Sequence, residues 1–304
     1  MTDRTSLQFY EELAVRLAGR SSAGGVRTLW RHLVPTSGEP VRFDPSRLSQ
    51  LPEPARRWLA HSLLPGTPEA RAVALRMRGH IRVGRWLPFS AIQLHVPPDG
   101  YLWVAKAGAA PITIRGYDFY TGGAGGAGMR WRLFGRVPVV HASGPDVERS
   151  AAGRVALDAF LLPSSWLGPQ VSWQPGPDTD SAVAHWQVGS WLLRVCIDVG
   201  PDGALRAVSM PRWAAPLGEP WGEYSCGGTL SAERRFDGVT VPTESQAGTS
   251  SARLAGRTAS SFEPESPTPV SGSQNCAPAV VPAGAQRLVA RSDRWRAATD
   301  GCAA

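Results

Sequence analysis

The stretch RGYDFY, residues 115–120, carries an acid where chemistry could use one. Read as a strand, it points Tyr117 and Phe119 to one face and Gly116, Asp118 and Tyr120 to the other. An ionised Asp118 on the inner face of a sheet needs a partner, because burying a lone carboxylate is costly. Arg149 and Arg154, in the segment PDVERSAAGRVALDAFLL, could provide it from a covering helix over about 146–162. Such a pair could fasten helix to sheet. It could also form, with Tyr120 on the same face, the polar end of a ligand pocket, or serve a hydrolase-like reaction in which Asp118 works with Arg149 or Arg154. A protein-interaction domain with no small ligand is the third reading. His141, Asp146 and Asp158 are the other candidate acids and bases. Against them stand structural readings: Asp146 as a helix cap, and Asp158 paired with Arg154 four residues before it. Trp86, Trp103 and Trp131 could be core, or could line a pocket for an apolar or amphipathic molecule, offering an N–H at its rim.

Other chemistries find little support. The glycine cluster GGAGGAG at 122–128 lacks the Lys-Ser/Thr of a phosphate loop and runs into the strand-like MRWRLFG. It reads as a hairpin loop, and no cofactor is expected. His32, His61, His80, His95, His141 and His185 form no H-x-H or H-x-x-x-H pair, so no metal site is signalled. No G-x-S-x-G elbow occurs. Cys196 and Cys226 lie in strand-like segments outside any C-x-x-C motif and are expected as buried free thiols.

The 304 residues carry a net charge of +7, yet Lys106 is the only lysine and the arginines alternate with acids. With no basic run and no binding motif, a nucleic-acid partner is not expected. The first residues, MTDRTSLQFYEELAVRLAGR, are charged throughout and lack the apolar centre of a signal peptide. No apolar stretch reaches membrane-spanning length. A cytoplasmic protein that does not span the membrane is the expectation.

The elements that must place these residues follow from periodicity. Leu7, Tyr10, Leu13 and Leu17 have helical spacing, a second short helix fits 24–34, and Pro54 suits the first turn of a third helix carrying Trp58, Leu59 and Leu63. From about residue 71 the period becomes two: Val73, Leu75 and Met77 alternate with Ala74, Arg76 and Arg78. Short turns, among them Pro97-Pro98-Asp99-Gly100, Pro201-Asp202-Gly203 and Asp237-Gly238, join successive strands. The expected class is therefore α+β, mainly β. A helical segment over 1–70 precedes an antiparallel meander over 71–245, interrupted by the helix at about 146–162.

Several segments together resemble an uncharacterised actinobacterial family, a domain of unknown function. They include LPEPARRWL, RGHIRVGRWLPF, GYDFYTGGAGGAGMRWRLFG and GPDVERSAAGR, and the resemblance runs from about residue 50 to about 245. It implies a curved half-barrel similar to the lipoprotein-carrier type, with helices against its concave side. The helix-covered meander and its many tryptophans suggest a lipid-like molecule as a partner. Fold alone does not give function. Asp158 stands where the resemblance implies Glu after SAAGR. The family ending, two further strands of the type GWxxGTxRWxxGEFFRxxIT, is missing after Glu244. Yet GC-rich codons for Arg257–Pro269, read two bases on, give DGEFFRARVTDA, which fits that ending. A frame slip near Ser245–Thr249 is therefore expected, with 246–304 as an unstructured, out-of-frame tail that leaves Val239–Glu244 an exposed edge. A disordered linker of the same Ser/Ala/Pro/Gly composition is the alternative.

Overall fold

The computed structural model describes residues 4–35, 41–83, 85–216, 219–253, 286–289 and 296–298. Helices α1 (Arg4–Ala18), α2 (Ala23–Leu33) and α3 (Glu53–Ser62) come first. A six-stranded antiparallel meander follows: β1 (Ala72–Val83), β2 (Arg85–Val96), β3 (Gly100–Ala109), β4 (Ile112–Tyr120), β5 (Ala127–Leu133) and β6 (Val137–Ala142). Helix α4 (Pro145–Leu157) and two 3-10 turns, Asp158–Leu161 and Pro163–Leu167, lead to the second meander. It comprises β7 (Val171–Pro175), β8 (Ser181–Val188), β9 (Trp191–Val199), β10 (Leu205–Ala214), β11 (Gly222–Phe236) and β12 (Val239–Arg253). The short β13 (Gln286–Val289) pairs with both β1 and β12 and so links the two halves, and β14 (Arg296–Ala298) pairs with β1. Among the described residues no closed barrel forms, since β6 and β7 are the free ends of the strand order. The result is the mainly β, α+β architecture with a curved antiparallel sheet that the sequence implies.

Strand parity builds the two cores. On β1, Val73, Leu75 and Met77 face α3 and α4, while Ala72 and Ala74 face α1 and α2. On β2, Phe89 and Ala91 take the first side, and Ile92, Leu94 and Val96 the second. Central strands of this meander are thus buried on both faces, which a helix on each side of a sheet requires. In α2, Val26, Trp30 and Leu33 form the inward stripe. Helix α4 touches β3, β4 and β5 of one half and β8, β9 and β10 of the other, so the sheet curves around it. This wrapping explains why every residue from Ser150 to Leu157 is buried, although the sequence predicts only one apolar face. The turn at Asp237-Gly238 has positive φ at both residues, 48° and 88°, as a tight type I′ hairpin demands.

Three expectations are corrected. The α-helix expected to about residue 162 ends at Leu157, where the chain tightens into the 3-10 turn Asp158–Leu161 before Pro163. The strand expected to stop at Glu244 continues to Arg253 along β11, and Glu244–Ala247 gain β13 as a second neighbour. The exposed edge and the lack of regular structure from Gln246 are therefore overturned for this part. Residues 254–285, 290–295 and 299–304 of the expected tail lie outside the described residues. Finally, Cys226 is disulfide-bonded, and only Cys196 fits the free-thiol reading. Among the described residues, no helix is long and apolar enough to cross a membrane.

Candidate functional site

The polar side chains gather where α4 crosses the sheet. Asp118, on β4, points toward the helix and is 3 % exposed. Its Oδ1 accepts a 2.7 Å hydrogen bond from Trp131 Nε1 on the neighbouring β5, and its Oδ2 lies 3.5 Å from Arg154 Nη1. Gly116 makes room for this arrangement. A Cβ there would stand 2.6 Å from the Trp131 ring and 2.3 Å from the Arg130 carbonyl oxygen. Arg154 also reaches Asp158, with Nε 3.2 Å from Oδ2, so one guanidinium serves two carboxylates. The rings of Tyr101 and Trp103 each lie 4.9 Å from its centre.

A second guanidinium lies close by. Arg212 on β10 is 1 % exposed. Its Nε donates to the Ser150 carbonyl oxygen at 3.0 Å, its Nη2 to Ser150 Oγ at 3.3 Å, and its Nη1 reaches only the Cys226 sulfur at 3.9 Å. Among the described residues no carboxylate stands within ion-pair distance of it. It can lie flat under α4 because position 153 is glycine: a Cβ would meet Arg212 Cγ at 3.0 Å. From β2, Gln93 donates through Nε2 to Asp158 Oδ2 at 3.2 Å, while its buried Oε1 has no partner. His95, two residues on, is fully buried against the Val155 backbone of α4.

Burial dominates the ionisation of this cluster. It pushes Asp118 up to about 6, against the opposing pull of Arg154 and the Trp131 hydrogen bond. It holds His95 down at about 4, although Asp158 favours the charged ring. It lowers Arg212 to about 10.

The cluster opens into a cleft between the Asp158–Leu161 turn and strands β1, β2, β10, β11 and β12. Gln93, Arg154, Asp158 and Arg212 form its polar end, Thr243, Glu244 and Ser245 of β12 add a polar stretch, and Leu75, Met77, Phe160, Val208 and Leu230 are its apolar walls. Its free volume is about 60 Å³. A buried water needs about 10–15 Å³ on that measure, so the cleft holds a few waters or one small group rather than a long acyl chain.

Not all residues expected at a site meet here. Arg154 lines the cleft. Asp118 sits behind Arg154 and reaches the cleft only through it. Trp103 and Trp131 pack on each other at 5.7 Å, and Phe89 packs on Trp103 at 6.0 Å, so these rings are core. Tyr120 is buried in the same core, its hydroxyl beside Gly189. Trp86 is 45 % exposed near the far end of the β1–β2 hairpin and does not line the cleft. Arg149 is turned outward, 2.7 Å from Glu223 and stacked over Trp213 at 4.1 Å, because it lies off the helix face that meets β4. Asp146 does not cap α4, whose N-cap is Gly144; its Oδ1 accepts instead from Trp213 Nε1 at 2.8 Å. His141, on the edge strand β6, is exposed and contacts Arg130. Gln93 and Arg212 are the residues that sequence reasoning missed. Parity was the available signal: Arg212 follows Val208 and Met210 at period two, and Gln93 follows Phe89 and Ala91. Among the described residues, no three His, Cys, Asp or Glu side chains converge as metal ligands would.

Fold and site together define an open, curved antiparallel sheet wrapped around one buried helix, with a charged cluster at their contact. The chain belongs to DUF6544, a family of unknown function whose model matches residues 41–252. That span takes in α3, both meanders and α4, and leaves α1 and α2 outside it. No curated protein and no solved structure matches the chain.

Proposed function

We propose that this protein binds a small amphipathic molecule in the cleft between the curved sheet and the α4–Leu161 segment. One observation carries the reading. The cleft joins apolar walls, Leu75, Met77, Val208 and Leu230, to a polar end where, among the described residues, Gln93 Oε1 has no partner and Arg212 no counter-ion. Buried polar groups left unsatisfied are rare in stable interiors and mark places where a ligand can complete the bonding. Catalysis by Asp118 with Arg149 or Arg154 is less well supported. Asp118 is shut off behind Trp131 and Arg154, and Arg149 lies on the other side of the helix.

Organic extraction of the purified chain followed by mass spectrometry tests the reading. A stoichiometric small molecule is expected from the wild type, and much less from Leu230→Trp, which fills the apolar wall. Equal recovery from both proteins would place the molecule elsewhere and sink the proposal.

A further inference from the structure

Resting on that reading, we infer that the molecule held in the cleft is a carboxylic acid whose carboxylate is read by Arg212 and whose apolar part lies against Leu75, Met77 and Leu230. The charges of the cluster are unevenly matched. Arg154 has two carboxylates within 3.5 Å, Asp118 and Asp158. Arg212 has none among the described residues, and its Nη1 meets only a sulfur, a weak acceptor, at 3.9 Å. A guanidinium so placed keeps a free N–H next to a cavity in a medium where a charge-assisted bond is strong.

Geometry makes Arg212 a reader rather than a loose charge. Ser150 fixes it through two bonds, to Nε and Nη2, and the absent side chain of Gly153 lets it lie against α4. What remains on the fork is the Nη1 edge. Gln93 supplies the second, independent mark of a ligand. It is fully buried, it lines the same cleft, and among the described residues its Oε1 is an acceptor without a donor. A carboxylic acid bearing a hydroxyl or amino group beside its carboxylate would satisfy both ends at once, the carboxylate on Arg212 and the donor on Gln93. The small free volume, about 60 Å³, selects a short chain.

The test uses the full chain after removal of any extracted molecule, with calorimetric titration of hexanoate, 2-hydroxyhexanoate, hexanamide and 1-hexanol. Hexanoate should bind about tenfold more tightly than hexanamide, the difference between a charge-assisted and a neutral hydrogen bond. The 2-hydroxy acid should bind more tightly again, and Gln93→Leu should remove only that second gain. Arg212→Lys keeps the charge but loses the fork, and should abolish the preference for acid over amide. If Arg212→Lys does not fold, the acid-to-amide ratio in the wild type and its loss in Leu230→Trp decide the matter. Equal binding of acid, amide and alcohol would overturn the carboxylate assignment while leaving an amphipathic ligand in place. No binding of any of the four, with no molecule extracted, would overturn both.

Discussion

Arg154 and Asp118 meet at 3.5 Å between α4 and β4, and this contact is one arm of a triad rather than an isolated pair. Asp158 takes the other arm at 3.2 Å. The distinction changes what substitution should do. For a lone buried pair, removing either partner costs about 3–5 kcal/mol, because the other charge is stranded. The sequence suggests such a pair, and hence a lower melting temperature for Asp118→Asn. In the triad, Asp118→Asn strands nothing, since Arg154 keeps Asp158 and the amide oxygen can still accept from Trp131. Asp118 is moreover held up at about 6, so its charge is already disfavoured in the fold. Asp118→Asn should therefore not destabilise the protein at neutral pH, and should relieve up to about 3 kcal/mol of the cost of ionising this buried carboxyl. Arg154→Met leaves a buried carboxylate without its cation and should cost about 3–5 kcal/mol. Urea unfolding of both variants checks this; similar large losses in the two would mean that the pair behaves as if isolated.

The same cluster predicts two opposed pH dependences. Asp118 titrates near 6 when folded against 3.8 in its ordinary state, so the folded protein holds the extra proton between those values. Its contribution to stability is greatest below pH 4 and is lost as pH rises to 6. His95 titrates near 4 when folded against 6.5, so the unfolded chain holds the extra proton. Its contribution is present above pH 6.5 and is lost as pH falls to 4. Each is worth on the order of 3 kcal/mol, at about 1.4 kcal/mol per unit, and over this window they largely cancel. Relative to wild type, Asp118→Asn should therefore gain stability with rising pH, and His95→Gln should lose it. Difference curves from unfolding at pH 4, 5, 6 and 7 measure this, and two parallel curves would show that neither group is shifted as stated.

How far the sequence discloses this protein depends on the distance over which each feature is set. Strand parity is local, and it placed Asp118 and Tyr120 opposite Tyr117 and Phe119 correctly. The hairpin at Asp237-Gly238 is local too. The choice between Arg149 and Arg154 is not. They lie five residues apart on one helix, and only the crossing angle of α4 over β4 turns Arg154 inward and leaves Arg149 against Glu223 and Trp213. Arg212 and Gln93 share strand parity with Val208, Met210, Phe89 and Ala91, but parity alone does not say what covers that face. Both sit on buried faces, set by a sheet that curves around a helix far away in sequence.

The tryptophans should divide sharply under truncation. Trp86 is 45 % exposed, so Trp86→Ala should cost no more than about 0.5 kcal/mol. Trp103 is 2 % exposed, in contact with Phe89, Trp131 and Arg154, and Trp103→Ala should cost about 3–5 kcal/mol. Thermal melts of the two variants discriminate, and a destabilising Trp86→Ala would return that residue to the list of packed aromatics.

Gly116 links packing to the site most directly. Its missing side chain is what lets the Trp131 ring lie across β4 and aim its N–H at Asp118. A methyl group at 116 would stand 2.3 Å from a backbone oxygen and 2.6 Å from the ring, closer than any real contact allows. The strand oxygen is held by the sheet, so the ring must move. Overpacking of this kind costs about 1–3 kcal/mol, and the displaced indole would also release its hydrogen bond to Asp118. Gly116→Ala should therefore be destabilised by at least about 2 kcal/mol and shift the Trp131 indole proton toward a free N–H in an NMR spectrum. In the cleft the effect should be smaller, because Arg154 retains Asp158. A Gly116→Ala protein with unchanged stability and an unmoved indole signal would mean that the sheet yields at β4 instead, and that the Trp131–Asp118 contact does not depend on the glycine.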